Sequence, residues 1–132
     1  MKEEERDEYV RYRLEKAYET YEVAQLLAEN EKWNSVINRL YYAAYYAVSS
    51  LLMKAEIETK THTGVKTNFF LYFIKSGRLD AVYGKLYADL FDWRQKGDYG
   101  DFFDFGREDV ELVLAPTKVL MEEVKKLIET PE

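Results

Sequence analysis

Apolar residues recur at steps of three and four along most of the chain, with no sustained alternation in twos. That spacing predicts helices and no strand. The first segment runs from about Glu4 to Glu29, with Val10, Leu14, Ala17, Tyr21, Ala24 and Ala28 on one face. Arg11, Glu15, Glu19 and Glu22 lie between them and are expected in water. The second, about Asn34 to Lys54, is apolar nearly all round, the mark of a central helix packed on several sides. The third starts near "KTHTGV" and continues to Lys75, the fourth covers about Asp80 to Lys96, and the fifth about Arg107 to Glu129. Short connections favour antiparallel neighbours, so the expected fold is all-α, an up-and-down bundle of four to five helices.

The breaks between these segments carry their own signals. Asn34 or Ser35 is placed to cap the second helix, and Thr61 or Thr63 the third. Gly77 is placed to stop the third helix and Gly97 to end the fourth in the left-handed conformation. A loop over 97–106 follows, with three glycines and three aspartates. Pro116 inside the fifth segment predicts a kink or a break.

The length of 132 residues suits one domain over 1–132 with a core of its own. The chain has no cysteine, so disulfide frameworks and cysteine–zinc clusters are excluded, and a cytoplasmic location is expected. No stretch reaches the roughly 18 uninterrupted apolar residues of a membrane-spanning helix. A net charge of −6 argues against wholesale attraction to nucleic acid, but not against a local phosphate site. Charge is uneven: Thr59 to Leu79 holds Lys60, Lys66, Lys75 and Arg78, with no Asp or Glu. The 12 tyrosines suit broad amphipathic contact surfaces, subunit interfaces among them.

Three places carry candidate chemistry. On the second helix Asn38, Arg39, Tyr42, Tyr45, Tyr46 and Ser49 share or border one stripe. This is either a core helix with tyrosine hydroxyls at its rim, or a face that presents Arg39 and Tyr42 to a ligand or a partner. In "KTHTGVK", a helix N-terminus, the Thr61 and Thr63 hydroxyls, Lys60, His62 and Lys66 could hold an anion, or form an ordinary cap with solubilising lysines. In "WRQKGDYGDF", Arg94 and Lys96 precede Asp98 and Tyr99 at a helix end. Arginine suits a phosphate, and cations there also complement the helix dipole. His62 is the sole histidine, which argues against a metal centre, and no dinucleotide or nucleotide-binding fingerprint points to a cofactor.

Taken together, "NRLYYAAYYAVSSLL", "KTHTGV" and "DLFDWRQKGDYGDFFDF" resemble the HEPN-domain proteins, closest to their small stand-alone prokaryotic branch. The resemblance runs from about Arg13 to Ile128. It implies a helical bundle that often forms a homodimer. It also implies a metal-independent ribonuclease toxin, frequently paired with a minimal nucleotidyltransferase antitoxin. The family's catalytic pattern is an arginine followed, after four to six residues, by a histidine. Arg94 matches the arginine; the histidine positions are Tyr99, Gly100 and Asp101, and none is histidine. A tyrosine modified by the nucleotidyltransferase in some family toxins would fall at Asp101.

The leading expectation is therefore a homodimer that binds a nucleotide, RNA or another phosphate-bearing ligand and partners a nucleotidyltransferase, without the usual catalytic histidine. An RNA endonuclease using Arg94 with Tyr99 or Asp98 is the enzymatic alternative. A dimerisation module in which Arg94 meets Asp92, Asp98 and Asp101 is the structural one.

Overall fold

A computed structural model describes residues 2–100 and 103–130. Helix α1 spans Glu3–Glu29, α2 Trp33–Lys54, α3 His62–Phe69, α4 Ala81–Tyr99 and α5 Arg107–Glu129, with a π-helical turn at Phe70–Ile74 directly after α3. Among the described residues there is no strand.

Helix α2 is the axis of the bundle, packed against α1, α3, α4 and α5. Its residues Val36, Ile37, Leu40, Tyr41, Ala43, Ala44, Ala47 and Val48 are fully buried. The alanines let α1 approach closely, where Ala17 and Ala24 are also fully buried. Pairings run in opposite senses along the partner helices. Ser50 Oγ donates to Val10 O (2.8 Å) and Lys54 pairs with Asp7 (3.4 Å), so α1 and α2 are antiparallel. Asn38 meets Asp98 while Tyr41 meets Arg94, so α2 and α4 are antiparallel too. Tyr21 donates to Leu114 O (2.7 Å) and Lys125 lies over Tyr18, which sets α5 against α1. The up-and-down arrangement expected from the periodicity is the observed one.

Thr61 caps α3, accepting from Gly64 N at 2.8 Å, and Gly77 turns the chain at φ 82°. Asp80 caps α4, accepting from Val82 N at 2.9 Å. Other boundary expectations are corrected. The third helix does not continue to Lys75 in one geometry, because it widens into the π-helical turn that seats Phe73 in the core. No break occurs at Pro116; α5 is continuous, and its Thr117 hydroxyl bonds back to Val113 O (2.6 Å). Gly97 does not end α4. The helix passes through it to Tyr99, and Gly97 serves close packing instead, since a Cβ there would sit 3.1 Å from the Phe105 ring.

Asn34 is not a helix cap either. Helix α2 begins at Trp33, and the Asn34 amide reaches across to the α4–α5 connection. Its Oδ1 accepts from Phe105 N (2.7 Å) and its Nδ2 donates to Phe103 O (3.1 Å). This one side chain replaces the missing backbone pairing of an irregular segment, so Phe105 can bury its ring on Trp93 at 5.4 Å. We expect Asn34→Ala to lower the unfolding free energy by about 1–3 kcal/mol, chiefly the cost of stranding the part-buried Phe105 N–H. A denaturant titration with an unchanged midpoint would show that the bonds to Phe103 and Phe105 do not hold this connection.

Candidate functional site

The residues flagged on α2, α3 and α4 meet around a tyrosine that was not flagged. Tyr41 is fully buried, and its hydroxyl lies 2.7 Å from His62 Nδ1. The His62 ring stacks on Tyr45 (centroids 4.4 Å apart, planes 8° apart) and meets Tyr42 edge-on at 5.8 Å. From α4, Tyr87 and Phe91 pack on the other sides of Tyr41 at 6.1 and 6.0 Å. Arg94 completes the ring. Its guanidinium lies over Tyr41 at 4.9 Å and over Tyr42 at 5.7 Å.

Arg94 is only 9% exposed, an uncommon place for a permanent cation. Its carboxylate neighbour Asp98 is 3.9 Å away, the outer limit of an ion pair. Its Nε is buried with no hydrogen-bond partner. Two tyrosine faces supply cation–π attraction, which offsets part of the desolvation cost. Asp98 is shared, because Asn38 Nδ2 donates to it at 2.9 Å. Asn38 Oδ1 in turn accepts from Arg39 Nε (2.9 Å) and NH2 (2.6 Å), and Arg39 lies over Tyr42 at 5.0 Å. The two arginines are thus linked through an amide and a carboxylate. A groove of about 550 Å³ lies beside this chain, lined by Asn34, Asn38, Arg39 and Asp98. A second, of about 750 Å³, opens past Tyr45 toward Arg13, Ser49 and Lys60.

Burial sets the ionisation of the cluster. The Tyr41 hydroxyl is pushed up to about 12 by desolvation, and Tyr87 well above the usual tyrosine value for the same reason. Both are phenols at any working pH. His62 is held below its ordinary value, first by burial and then by the Arg94 charge. It is therefore neutral at pH 7.

Of the expected site residues, Arg94, Asp98, Arg39, Tyr42 and His62 come together, with Thr61 capping the helix that carries His62. Lys66 stands one ring away, its amine 4.6 Å from the centroid of Phe91. Thr63 and Lys96 are exposed and bond to none of these groups. Tyr99 is 76% exposed at the end of α4, and no ring contact or hydrogen bond joins it to Arg94. Asp101 lies outside the described residues. Tyr41 and Tyr87 were missed as site residues, whereas Asn38 was placed on the polar stripe of the second helix without a role of its own. The available signal for Tyr41 was a tyrosine on the wholly apolar face of α2, where a phenol needs a buried partner.

Residues 10–127 match the HEPN domain. The chain belongs to the HEPN family. A UPF0332 protein of Thermotoga maritima is 34% identical over 125 residues, 95% of either chain. A Methanocaldococcus jannaschii protein that carries the name of a candidate toxin is 30% identical over 115 residues, 87% of this chain and 78% of its own. A second candidate toxin of that organism is 28% identical, over 87% of this chain and 85% of its own. The resemblance drawn from the three sequence patterns is borne out, as is the all-helical bundle. Among the described residues no HEPN helix here is long and apolar enough to cross a membrane, and no group of three or more His, Cys, Asp or Glu could hold a metal ion.

His62 is the sole histidine, so its titration can be followed by NMR without assignment ambiguity. Its midpoint should fall below the ordinary value of about 6.5, and Arg94→Gln should move it part of the way back. Because the folded value is the lower one, the contribution to stability is full above about pH 6.5 and is lost as pH falls through the folded midpoint. A midpoint at or above 6.5 would contradict the burial and the proximity of Arg94.

Proposed function

We propose that this HEPN protein binds RNA or nucleotide phosphate at the Arg94 cluster, as a homodimer in the cytoplasm and as one half of a toxin–antitoxin-like pair with a nucleotidyltransferase. The observation that carries the binding reading is Arg94 itself. A guanidinium nine-tenths removed from water, with Nε unpaired and its carboxylate at 3.9 Å, is under-compensated. An incoming phosphate supplies the acceptors and the charge that the chain withholds. Family membership and the relatives named as candidate toxins support the rest of the reading. The test is fluorescence anisotropy with a fluorescein-labelled oligouridylate, alongside calorimetry with a nucleoside triphosphate. Arg94→Gln should weaken binding roughly tenfold to a hundredfold, the worth of a charge-assisted hydrogen bond, while leaving the helical spectrum unchanged. Equal binding by the variant, or none by the wild type, removes the site assignment. A light-scattering mass of a single chain removes the dimer.

A second reading is RNA cleavage, favoured by one observation: His62 joins Arg94 around Tyr41, although the end of α4 carries no histidine. A proton-exchanging imidazole beside a phosphate-holding arginine has the parts for metal-independent transesterification. In this version His62 stands where Tyr99 or Asp98 was expected to serve. Structured RNA incubated with the protein in excess chelator should then be cut, and His62→Ala should abolish cutting. Intact RNA at high protein concentration excludes it.

A further inference from the structure

Two phenols and one imidazole form a buried hydrogen-bonding problem with few solutions. Tyr41 is fully buried, and among the described residues its hydroxyl bonds to His62 Nδ1 at 2.7 Å. The Tyr87 hydroxyl is buried and makes no hydrogen bond of good geometry; its polar neighbour is the Tyr41 hydroxyl. Each phenol carries one proton to donate, and a neutral imidazole has one donor nitrogen and one acceptor nitrogen.

Suppose His62 carried its proton on Nδ1 and donated it to Tyr41. Tyr41 could then donate only toward Tyr87, and the Tyr87 proton would have no acceptor in the core. With the proton on Nε2 instead, Tyr87 can face Tyr41 as donor and Tyr41 donates to Nδ1. The Tyr41 proton is then satisfied at 2.7 Å, and only the Tyr87 proton is left with a poorly aligned acceptor, one stranded proton fewer than in the other form. A stranded buried O–H is costly enough to bias the two forms by about tenfold or more. No hydrogen bond is made at Nε2 among the described residues, and His62 is only part-buried, at the edge of the cluster. Stacking on Tyr45 holds the ring plane.

We infer that Tyr41, backed by Tyr87, locks His62 as the Nε2–H form, so that His62 acts as a neutral hydrogen-bond donor to a phosphate oxygen beside Arg94. This rests on the phosphate-binding reading and refines it. His62 and Arg94 both border the Tyr41–Tyr42 pair, and α3 begins at His62, so its first amides and the positive end of its dipole lie at that residue. The Arg94 guanidinium, the His62 Nε2–H and the first amides of α3 all donate, while the one carboxylate nearby, Asp98, is already engaged by Asn38. An imidazole held this way has no lone pair on its outer nitrogen, so it recognises anions and does not remove protons. Tyr41 is a positioning residue, acting through His62.

The deciding experiment has two readouts. Long-range ¹H–¹⁵N correlation of His62 in the free protein at pH 8 should show a pyrrole-type Nε2 and a pyridine-type Nδ1. The Nδ1–H form there overturns the inference, whatever the protein binds. The second readout is anisotropy with the labelled oligouridylate. His62→Gln, whose amide nitrogen falls near the Nε2 position, should stay within about threefold of wild type. His62→Asn, whose amide falls near Nδ1, should lose roughly tenfold, and Tyr41→Phe should weaken binding severalfold when measured well below its own melting midpoint, with an unchanged helical spectrum. Equal affinity for His62→Asn and wild type overturns the donor role. Failure of the wild type to bind the probe overturns both the proposed function and the donor role. The ¹⁵N spectrum still decides the lock by itself.

Discussion

A phenol sits at the middle of this bundle, and its hydroxyl has to be satisfied where no water reaches. Tyr41 meets that constraint through His62, and much of the structure follows from it. The bond fastens α3 to α2 at a place where the connecting chain is irregular. It also draws the helix cap at Thr61 to the edge of the aromatic cluster, since His62 is the first residue of α3. Tyr87 and Phe91 then close over Tyr41 from α4, and Arg94, the next residue on that face, is carried in under the same roof. The site is therefore a by-product of core packing, and its residues are as rigid as the core is.

The electrostatics of this arrangement run against those of the whole chain. The protein is acidic, with a net charge of −6, so no long-range field draws polyanions to it. The cations that matter are concentrated instead. The α3 region has no carboxylate, and Arg39 and Arg94 are joined through Asn38 and Asp98 rather than scattered. Asp98 sits too far from Arg94 to neutralise it fully, and it divides its attention with Asn38. Arg94 thus keeps charge to spare in a setting of low polarity, where an anion would feel it strongly. His62 stays neutral because burial and Arg94 both oppose its protonation.

Helix periodicity was legible because it depends on one-dimensional spacing. The five segments, the central character of α2, the Thr61 cap and the Gly77 turn could all be read from the sequence. Gly97 and Asn34 were misread for a common reason. Glycine near a helix end suggests termination, and asparagine at a helix start suggests a cap, but both residues also serve long-range packing. Here Phe105 arrives from eight residues beyond Gly97 and takes the space of its missing Cβ, while Asn34 bonds that same distant segment. The two turns at Glu31 and Glu56 make the opposite point. Both residues adopt the left-handed region without being glycine (φ 58° and 60°), and each is ion-paired across helices, to Arg107 and Arg6. No local pattern marks such positions.

The sequence alone was enough to determine an all-helical chain, a family resemblance, and a set of separate candidate groups on α2, α3 and α4. Those properties follow from residue type and from spacing within single helices. Tertiary structure alone decided which candidates share a site. Arg94 and His62 are thirty-two residues apart, and their proximity depends on how α3 and α4 pack on α2 around Tyr41. The same packing left Tyr99 in solvent at the end of α4. Burial is a property of the assembled core, so neither the under-compensated charge of Arg94 nor the hydrogen-bonding demand of Tyr41 exists until the helices have met.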